Sequence, residues 1–161
     1  MITFLEVDIF DIAVDILVNP VNCVGVMGAG LALQFKKRYP AMFQAYKTAC
    51  KNPGLKPGQV LEHVDEHHHA WIVNLPTKRH WKDPSSLADV ELGLQALSYY
   101  LIGPAVDRAR EIGRPLPLRV AVPALGCGLG QLSWNEVRPL MELHLGTIDP
   151  NTAEIYVLEP Q

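Results

Sequence analysis

Glycines and asparagines cluster at residues 18–31, where an apolar run gives way to a helical pattern. Glycine lets a backbone adopt positive φ and approach a ligand closely. The helix that follows would offer unpaired N–H groups and the positive end of its dipole, which together suit a phosphate. The side chains of Asn19 and Asn22 both donate and accept hydrogen bonds, which suits sugar hydroxyls. The stretch therefore predicts a pocket for a phosphate and a ribose.

Two familiar phosphate-binding motifs do not fit this stretch. The P-loop requires a Gly-Lys-Ser/Thr ending, which these glycines lack. The dinucleotide fingerprint Gly-x-Gly-x-x-Gly would begin at Gly28, but its last position is Leu33. A second glycine-rich loop, at residues 123–130, also follows an apolar run and precedes a helical pattern. Two such loops in one small domain predict two walls of a single diphosphate site.

The scaffold for these loops follows from alternating strand and helix patterns. Strands are predicted at residues 2–7, 15–21, 60–64, 70–75, 118–122 and 153–158. Helices are predicted from Leu31 and Pro40, from Ser86 to Leu101, at 105–112 and from the Ser133-x-x-Glu136 capping box. This alternation predicts an α/β fold with a mixed, mainly parallel sheet covered by helices. In such sheets ligands bind outside the carboxyl ends of the strands. Four candidate groups lie there: Asp8-Ile9, residues 19–30, Thr77-Lys78 and residues 124–130.

Length, charge and cysteine content limit the function classes. The 161 residues suit one domain, and contents of 48% hydrophobic and 19% charged residues are ordinary for a globular protein. The net charge of −3 argues against a broad electrostatic grip on nucleic acid, but leaves a contact with one modified nucleotide open. No segment approaches the roughly 20 apolar residues that span a bilayer. Three cysteines without a CxxC pair argue against a disulfide framework, and we expect a cytoplasmic protein.

Three stretches closely resemble the macrodomain family: residues 18–40, beginning Val-Asn-Pro-Val-Asn-Cys; 74–81, Asn-Leu-Pro-Thr-Lys-Arg-His-Trp; and 123–130, Pro-Ala-Leu-Gly-Cys-Gly-Leu-Gly. The match runs in order over essentially the whole chain and is greatest to the DarG branch, antitoxin macrodomains that remove ADP-ribose from DNA. The resemblance implies one macrodomain over residues 1–161, folded as a three-layer α-β-α sandwich. It also implies ADP-ribose as ligand or product, with no cofactor and no metal.

The resemblance implies a role for each matching residue. Asp8 matches the acid that holds the adenine amino group, with Ile9 beside it, and Asn22 matches the asparagine on the distal ribose, with Asn19 on the same wall. Lys78 matches the lysine that the DarG branch uses in catalysis. The other implied ligand-binding residues lie on or near the two loops: Gly25, Val26, Met27, Gly28, Gly30, Leu31, Thr77, Ala124, Leu125, Gly126, Cys127, Gly128, Leu129 and Gly130.

Gly130 departs from the pattern of a related branch, the terminal ADP-ribose protein glycohydrolase, which has an aspartate there. Glycine can act neither as acid nor as base, so this position favours the DarG-like reaction. The predicted function is therefore lysine-assisted cleavage at C1″ of ADP-ribosylated single-stranded DNA, with a cognate ADP-ribosyltransferase toxin as a possible partner. Two alternatives remain at this stage. One is hydrolysis of O-acetyl-ADP-ribose, ADP-ribose 1″-phosphate or a protein glutamyl ester, and the other is a non-catalytic ADP-ribose-binding module.

Several other residues have chemical potential but weaker patterns. Trp81 is suited to stacking on a nucleobase, although such a residue more often packs on its own loop. Adjacent residues of a strand point to opposite faces, so the histidines at 63 and 67–69 are interpreted as a turn rather than a metal site. Cys127 has no histidine or lysine beside it in sequence to favour a thiolate. The basic run 36–38 is interpreted as a solvated helix face.

Overall fold

The computed structural model describes residues 1–65 and 69–161. The strands are β1 (Ile2–Leu5), β2 (Ile16–Val21), β3 (Leu61–Asp65), β4 (Ala70–Pro76), β5 (Leu118–Pro123) and β6 (Ala153–Leu158). The helices are α1 (Gly30–Arg38), α2 (Pro40–Lys51), α3 (Leu87–Ile102), α4 (Pro104–Ile112) and α5 (Trp134–Leu145), with a short 3-10 helix at Ile9–Asp11. The expected turn at 66–68 lies outside the described residues.

The six strands form one sheet in the order β1-β6-β5-β2-β4-β3. All neighbouring pairs are parallel except β3 with β4. The carboxyl ends of β1, β6, β5, β2 and β4 therefore share one edge, in that order. The predicted mixed, mainly parallel sheet is confirmed, and this edge is where the fold gathers the candidate groups.

Two apolar layers cover the sheet, because side chains alternate between its faces. Along β4, Trp71 and Val73 pack in the cluster that includes α3, α4 and α5, whereas Ile72 packs with α1 and α2. Each helix contributes an apolar stripe, such as Leu94, Leu97 and Leu101 of α3. The three-layer α-β-α sandwich is thereby confirmed. No helix among residues 1–65 and 69–161 is long and apolar enough to cross a membrane.

Local signals set most of the element ends. Pro40 occupies the first turn of α2, where its missing N–H costs nothing, and the Ser86 hydroxyl accepts from the Asp89 N–H, 3.2 Å away. Most predicted element ends lie within one residue of the observed ends, as for α4, which has nine residues where 105–112 was predicted. β1 is an exception, because it ends at Leu5 rather than at residue 7. The Ser133 side chain makes no capping bond, although α5 begins directly after it.

Candidate functional site

A cleft of about 960 Å³ runs along the shared carboxyl edge of the parallel strands. Of the nineteen residues that the sequence assigns to a site, fifteen line it: Asp8, Ile9, Asn22, Val26, Gly28, Gly30, Leu31, Thr77, Lys78, Ala124, Gly126, Cys127, Gly128, Leu129 and Gly130. They come from four separate segments of the chain. The parallel sheet brings them together because each segment follows the end of a strand.

The strand order gives the cleft a direction. Asp8 follows β1 at one end, the loops after β5 and β2 lie in the middle, and Lys78 follows β4 at the other end. Four strand spacings separate β1 from β4, or about 19 Å at the usual distance between neighbouring strands. The cleft is thus long, with a carboxylate at one end and a cation at the other.

The first loop, residues 22–29, is held in shape by the Asn22 side chain. Its Oδ1 accepts from the backbone N–H of Val24 at 3.0 Å, and its Nδ2 donates to the Val26 carbonyl at 2.7 Å. The buried Tyr46 hydroxyl lies 2.8 Å from both the Oδ1 and the backbone oxygen of Asn22. Asn22 therefore shapes the loop as well as lining the cleft.

Backbone N–H groups without a hydrogen bond lie in the cleft wall where the first loop enters α1. Within the described part of the chain, the N–H groups of residues 28–32 have no hydrogen-bond acceptor. The first turn of α1 carries no side-chain cap and no acidic residue, so the positive end of its dipole is not offset there. Gly30, at φ +59°, turns the backbone into the helix. Such an arrangement binds an anion.

The second loop, residues 124–130, supplies a second row of backbone N–H donors. Among residues 1–65 and 69–161, the N–H groups of Gly126, Gly128, Leu129 and Gly130 form no hydrogen bond. The loop is closed by its own bonds, including the Leu132 N–H to the Gly126 carbonyl at 2.8 Å. The two loops touch, because a Cβ built on Gly30 would lie 3.1 Å from Cδ1 of Leu129. Donors on two adjoining loops suit a diphosphate better than a single phosphate.

Gly130 is required for space rather than for backbone conformation. Its φ lies outside the positive range, yet a Cβ built there would lie 2.5 Å from the Gly126 carbonyl oxygen and clash with the Ser85 hydroxyl. Ser85 is buried, and its N–H donates to the Gly130 carbonyl at 2.9 Å. The second loop therefore has no room for a side chain at residue 130, including the aspartate of the related branch.

Lys78 is placed by bonds between the ends of β2 and β4. The Thr77 N–H donates to the Val21 carbonyl at 2.9 Å, and the Cys23 N–H donates to the Arg79 carbonyl at 3.1 Å. Lys78 is half-buried in the cleft wall and forms no ion pair with any residue that the structure describes. Its ammonium is thus available to a bound ligand.

The thiols near the cleft are not activated. Burial raises the pKa of Cys127 to about 11. Burial is also the largest cause that raises the pKa of Cys23 to about 11, and the nearby Cys50 and Asp89 add to it. Both side chains are protonated at neutral pH and do not provide a thiolate nucleophile. In the described residues, no group of three histidine, cysteine or acidic side chains could hold a metal ion. His67 and His68 lie outside those residues.

Four residues assigned from the sequence do not line the cleft. Met27 and Leu125 are buried at 1% and 0% exposure and anchor the two loops in the core. Gly25, at φ +82°, lies against α2, because a Cβ built there would lie 3.6 Å from atoms of Lys47 and Cys50. Asn19 is fully buried, because β2 and β4 pair it in register with Asn74, whose Oδ1 accepts from the Asn19 Nδ2 at 3.0 Å.

The sequence reasoning also missed part of the wall. Besides Trp81, which was considered above for stacking on a nucleobase, the unassigned lining residues are Val7, Pro20, Val21, Ala29, Ala32, Gln34, Pro123, Leu158, Glu159, Pro160 and Gln161. Leu158 ends β6 and the last three residues follow it, so the rule that ligands bind at and beyond strand ends would have found these four. Glu159 is engaged there, because it accepts from Arg138 at 3.0 Å.

Sequence comparison with known proteins shows which family has this architecture. The Macro domain family model matches residues 18–141. A DNA ADP-ribosyl glycohydrolase of Mycobacterium tuberculosis is 43% identical over 85% of this chain, which spans 36% of that protein's length. The curated relative from Thermosipho africanus, a DNA ADP-ribosyl transferase–DNA ADP-ribosyl glycohydrolase fusion protein, is 33% identical over 92% of this chain and 40% of its own length.

The solved structures agree with this assignment. The macrodomain of Thermus aquaticus DarG superposes with a TM-score of 0.82 at 35% identity, over 99% of both chains. Thermosipho africanus DarTG in complex with ADP-ribose superposes with a TM-score of 0.78 at 33% identity, over 97% of this chain and 41% of the other. By sequence, by fold and by the two glycine loops at the strand ends, this chain belongs to the macrodomain family.

Proposed function

We propose that this macrodomain removes ADP-ribose from modified single-stranded DNA by hydrolysis at C1″. The observation that carries the proposal is the convergence in one cleft of two rows of backbone N–H groups and the Lys78 ammonium, none of which has a partner among the described residues 1–65 and 69–161. Relatives at 33–43% identity are named for this glycohydrolase activity, which supports the choice of reaction.

The cleft is suited to hold ADP-ribose along its length. The adenine lies at the Asp8 end, where one carboxylate oxygen is fixed by the Phe10 N–H at 2.9 Å and the other can accept from the amino group. The diphosphate lies between the two loops, and the distal ribose reaches Asn22. Binding of this remote part positions C1″ beside Lys78 without a cofactor or a metal.

Lys78 then assists the exchange of bonds at C1″. Water adds to C1″ while the bond from C1″ to the nucleobase breaks, and the electron pair of that bond leaves with the base. The departing base accepts a proton from the Lys78 ammonium, and the proton lost by the water restores the ammonium. General acid–base assistance of this kind is worth about 10²- to 10⁴-fold in rate.

The first experiment is release of ADP-ribose from an ADP-ribosylated single-stranded oligonucleotide by the wild type and by Lys78→Ala. We expect the variant to lose at least about 10²-fold in kcat while binding free ADP-ribose as the wild type does. Lys51→Ala is the control, because Lys51 is exposed at the end of α2, away from the cleft. Equal rates for Lys78→Ala and the wild type would refute the role of the lysine.

Two further measurements separate the alternatives. A glutamyl-ADP-ribosylated protein, tested in parallel, should be cleaved poorly because no aspartate fits at residue 130. If the wild type binds ADP-ribose but cleaves neither substrate, the protein is a binding module.

A transferase partner is part of the proposal, since the Thermosipho africanus relative is named as a fusion of a DNA ADP-ribosyl transferase with the glycohydrolase. Co-expression with such a transferase should be tolerated with the wild type and toxic with Lys78→Ala. Equal toxicity with both would remove the partner from the proposal.

A further inference from the structure

An exposed indole stands at one end of the cleft. Trp81 lines the cleft three residues after Lys78, and it is 51% exposed. The other tryptophans are more covered: Trp71 is 1% exposed in the core, and Trp134 is half-buried and packs edge-on against Phe4. A large ring left half in water at the mouth of a cleft offers a surface to a ligand.

The Trp81 loop, residues 79–83, is pinned rather than free. The Arg79 guanidinium forms two bonds to the Asp89 carboxylate of α3, at 3.2 and 3.3 Å. The Arg79 carbonyl accepts from Cys23 of the first loop, as described above. The loop is therefore tied to α3 on one side and to the first loop on the other.

A tight turn then directs the indole outward. The Lys82 N–H donates to Nδ1 of His80 and the Asp83 N–H donates to the His80 carbonyl, both at 3.1 Å. The His80 ring lies 5.2 Å from the Trp81 ring, between centroids, and Lys82 Nζ lies over the face of the Trp81 ring, 5.2 Å from its centroid. An aromatic face beside an exposed cation is the combination that binds a nucleobase together with its phosphate.

The direction of the cleft decides what reaches this surface. If ADP-ribose lies from Asp8 to Lys78, the group attached to C1″ leaves the cleft at the β4 end, where Trp81 follows Lys78. We infer that Trp81 stacks on a nucleobase of the strand that carries the ADP-ribose, and that Lys82 contacts a phosphate of that strand. The Trp81 loop would then select nucleic acid as the carrier. This inference rests on the proposed function, which sets the orientation of the ligand.

The test measures binding in a Lys78→Ala background, so that the ligand is not cleaved. The ligands are free ADP-ribose and an ADP-ribosylated single-stranded oligonucleotide. Trp81→Ala should weaken oligonucleotide binding about tenfold, within the range of a lost base stack, while changing the Kd of ADP-ribose less than twofold. Trp81→Phe should restore most of the affinity, because phenylalanine keeps an aromatic face. Tyr99→Ala is the control, since Tyr99 is a 73% exposed aromatic on α3 outside the cleft.

Each other outcome has a separate meaning. Equal loss for both ligands would place Trp81 in the ADP-ribose site, and an unchanged oligonucleotide affinity would make it a surface residue; either result overturns the inference. An equal loss for a glutamyl-ADP-ribosylated peptide would overturn the nucleobase as the stacking partner. If the wild type binds the oligonucleotide through Trp81 but never cleaves it, the inference stands and the proposed hydrolysis fails.

Discussion

Gly130→Ala tests the packing of the second loop with a single methyl group. The added Cβ would lie 2.5 Å from the Gly126 carbonyl oxygen and 2.9 Å from its carbon, and it would clash with the Ser85 hydroxyl. The Gly126 carbonyl cannot simply move away, because it accepts from the Leu132 N–H at 2.8 Å. Overpacking of this kind costs about 1–3 kcal/mol in free energy of unfolding.

The destabilisation of Gly130→Ala should appear either in the melting temperature or in the affinity for ADP-ribose. If the loop keeps its shape, the melting temperature should fall by about 2–4 °C per kcal/mol, or about 2–12 °C in total. If the loop shifts instead, its N–H groups leave the diphosphate, and the affinity for ADP-ribose should fall about tenfold for each 1.4 kcal/mol. Differential scanning calorimetry and isothermal titration calorimetry on the same samples measure both.

Two matched variants sharpen the result. A Cβ on Gly128 would meet nothing within 4 Å, so Gly128→Ala should melt as the wild type does. Ser85→Ala removes one of the two close contacts, so it should restore part of the loss when combined with Gly130→Ala. An unchanged melting temperature together with an unchanged Kd in Gly130→Ala would refute the steric explanation for this glycine.

The remaining predictions concern the first loop and the thiols. Tyr46→Phe removes the hydroxyl that lies 2.8 Å from two oxygens of Asn22, so the free energy of unfolding in urea should fall by about 1 kcal/mol and ADP-ribose should bind more weakly. Unchanged binding would show that the Tyr46 hydroxyl is not needed to shape the first loop. Burial raises the pKa of Cys23 and Cys127 from 9.0 to about 11, so iodoacetamide should label both thiols slowly at pH 8 and faster as the pH rises toward 11. Rapid labelling at pH 8 would contradict the burial of these thiols. The unfolded chain loses these protons near pH 9, before the folded protein does, so the free energy of unfolding should fall between pH 9 and 11 in a pH series of urea melts.

Local sequence patterns predicted most of the strands, helices and loops. The change from an apolar run to a helical pattern marked both glycine loops, because strand and helix periodicities are properties of neighbouring residues. Pro40 and Ser86 marked helix starts for the same reason, since a cap acts within one turn. The resemblance to macrodomains, now established as family membership, directed attention to Lys78, which forms part of the cleft wall.

Only the tertiary structure decided which residues meet. Asn19 is a polar side chain at a strand end by sequence, but its registration beside Asn74 buries it, and pairing across 55 residues leaves no local trace. The space at Gly130 is taken by Ser85 of a distant segment, and the direction of the cleft follows from a strand order that departs from chain order. The elements and the chemistry of their loops follow from local sequence, because they depend on near neighbours. The order, burial and spacing of the loops follow from the folded chain, because they depend on long-range packing.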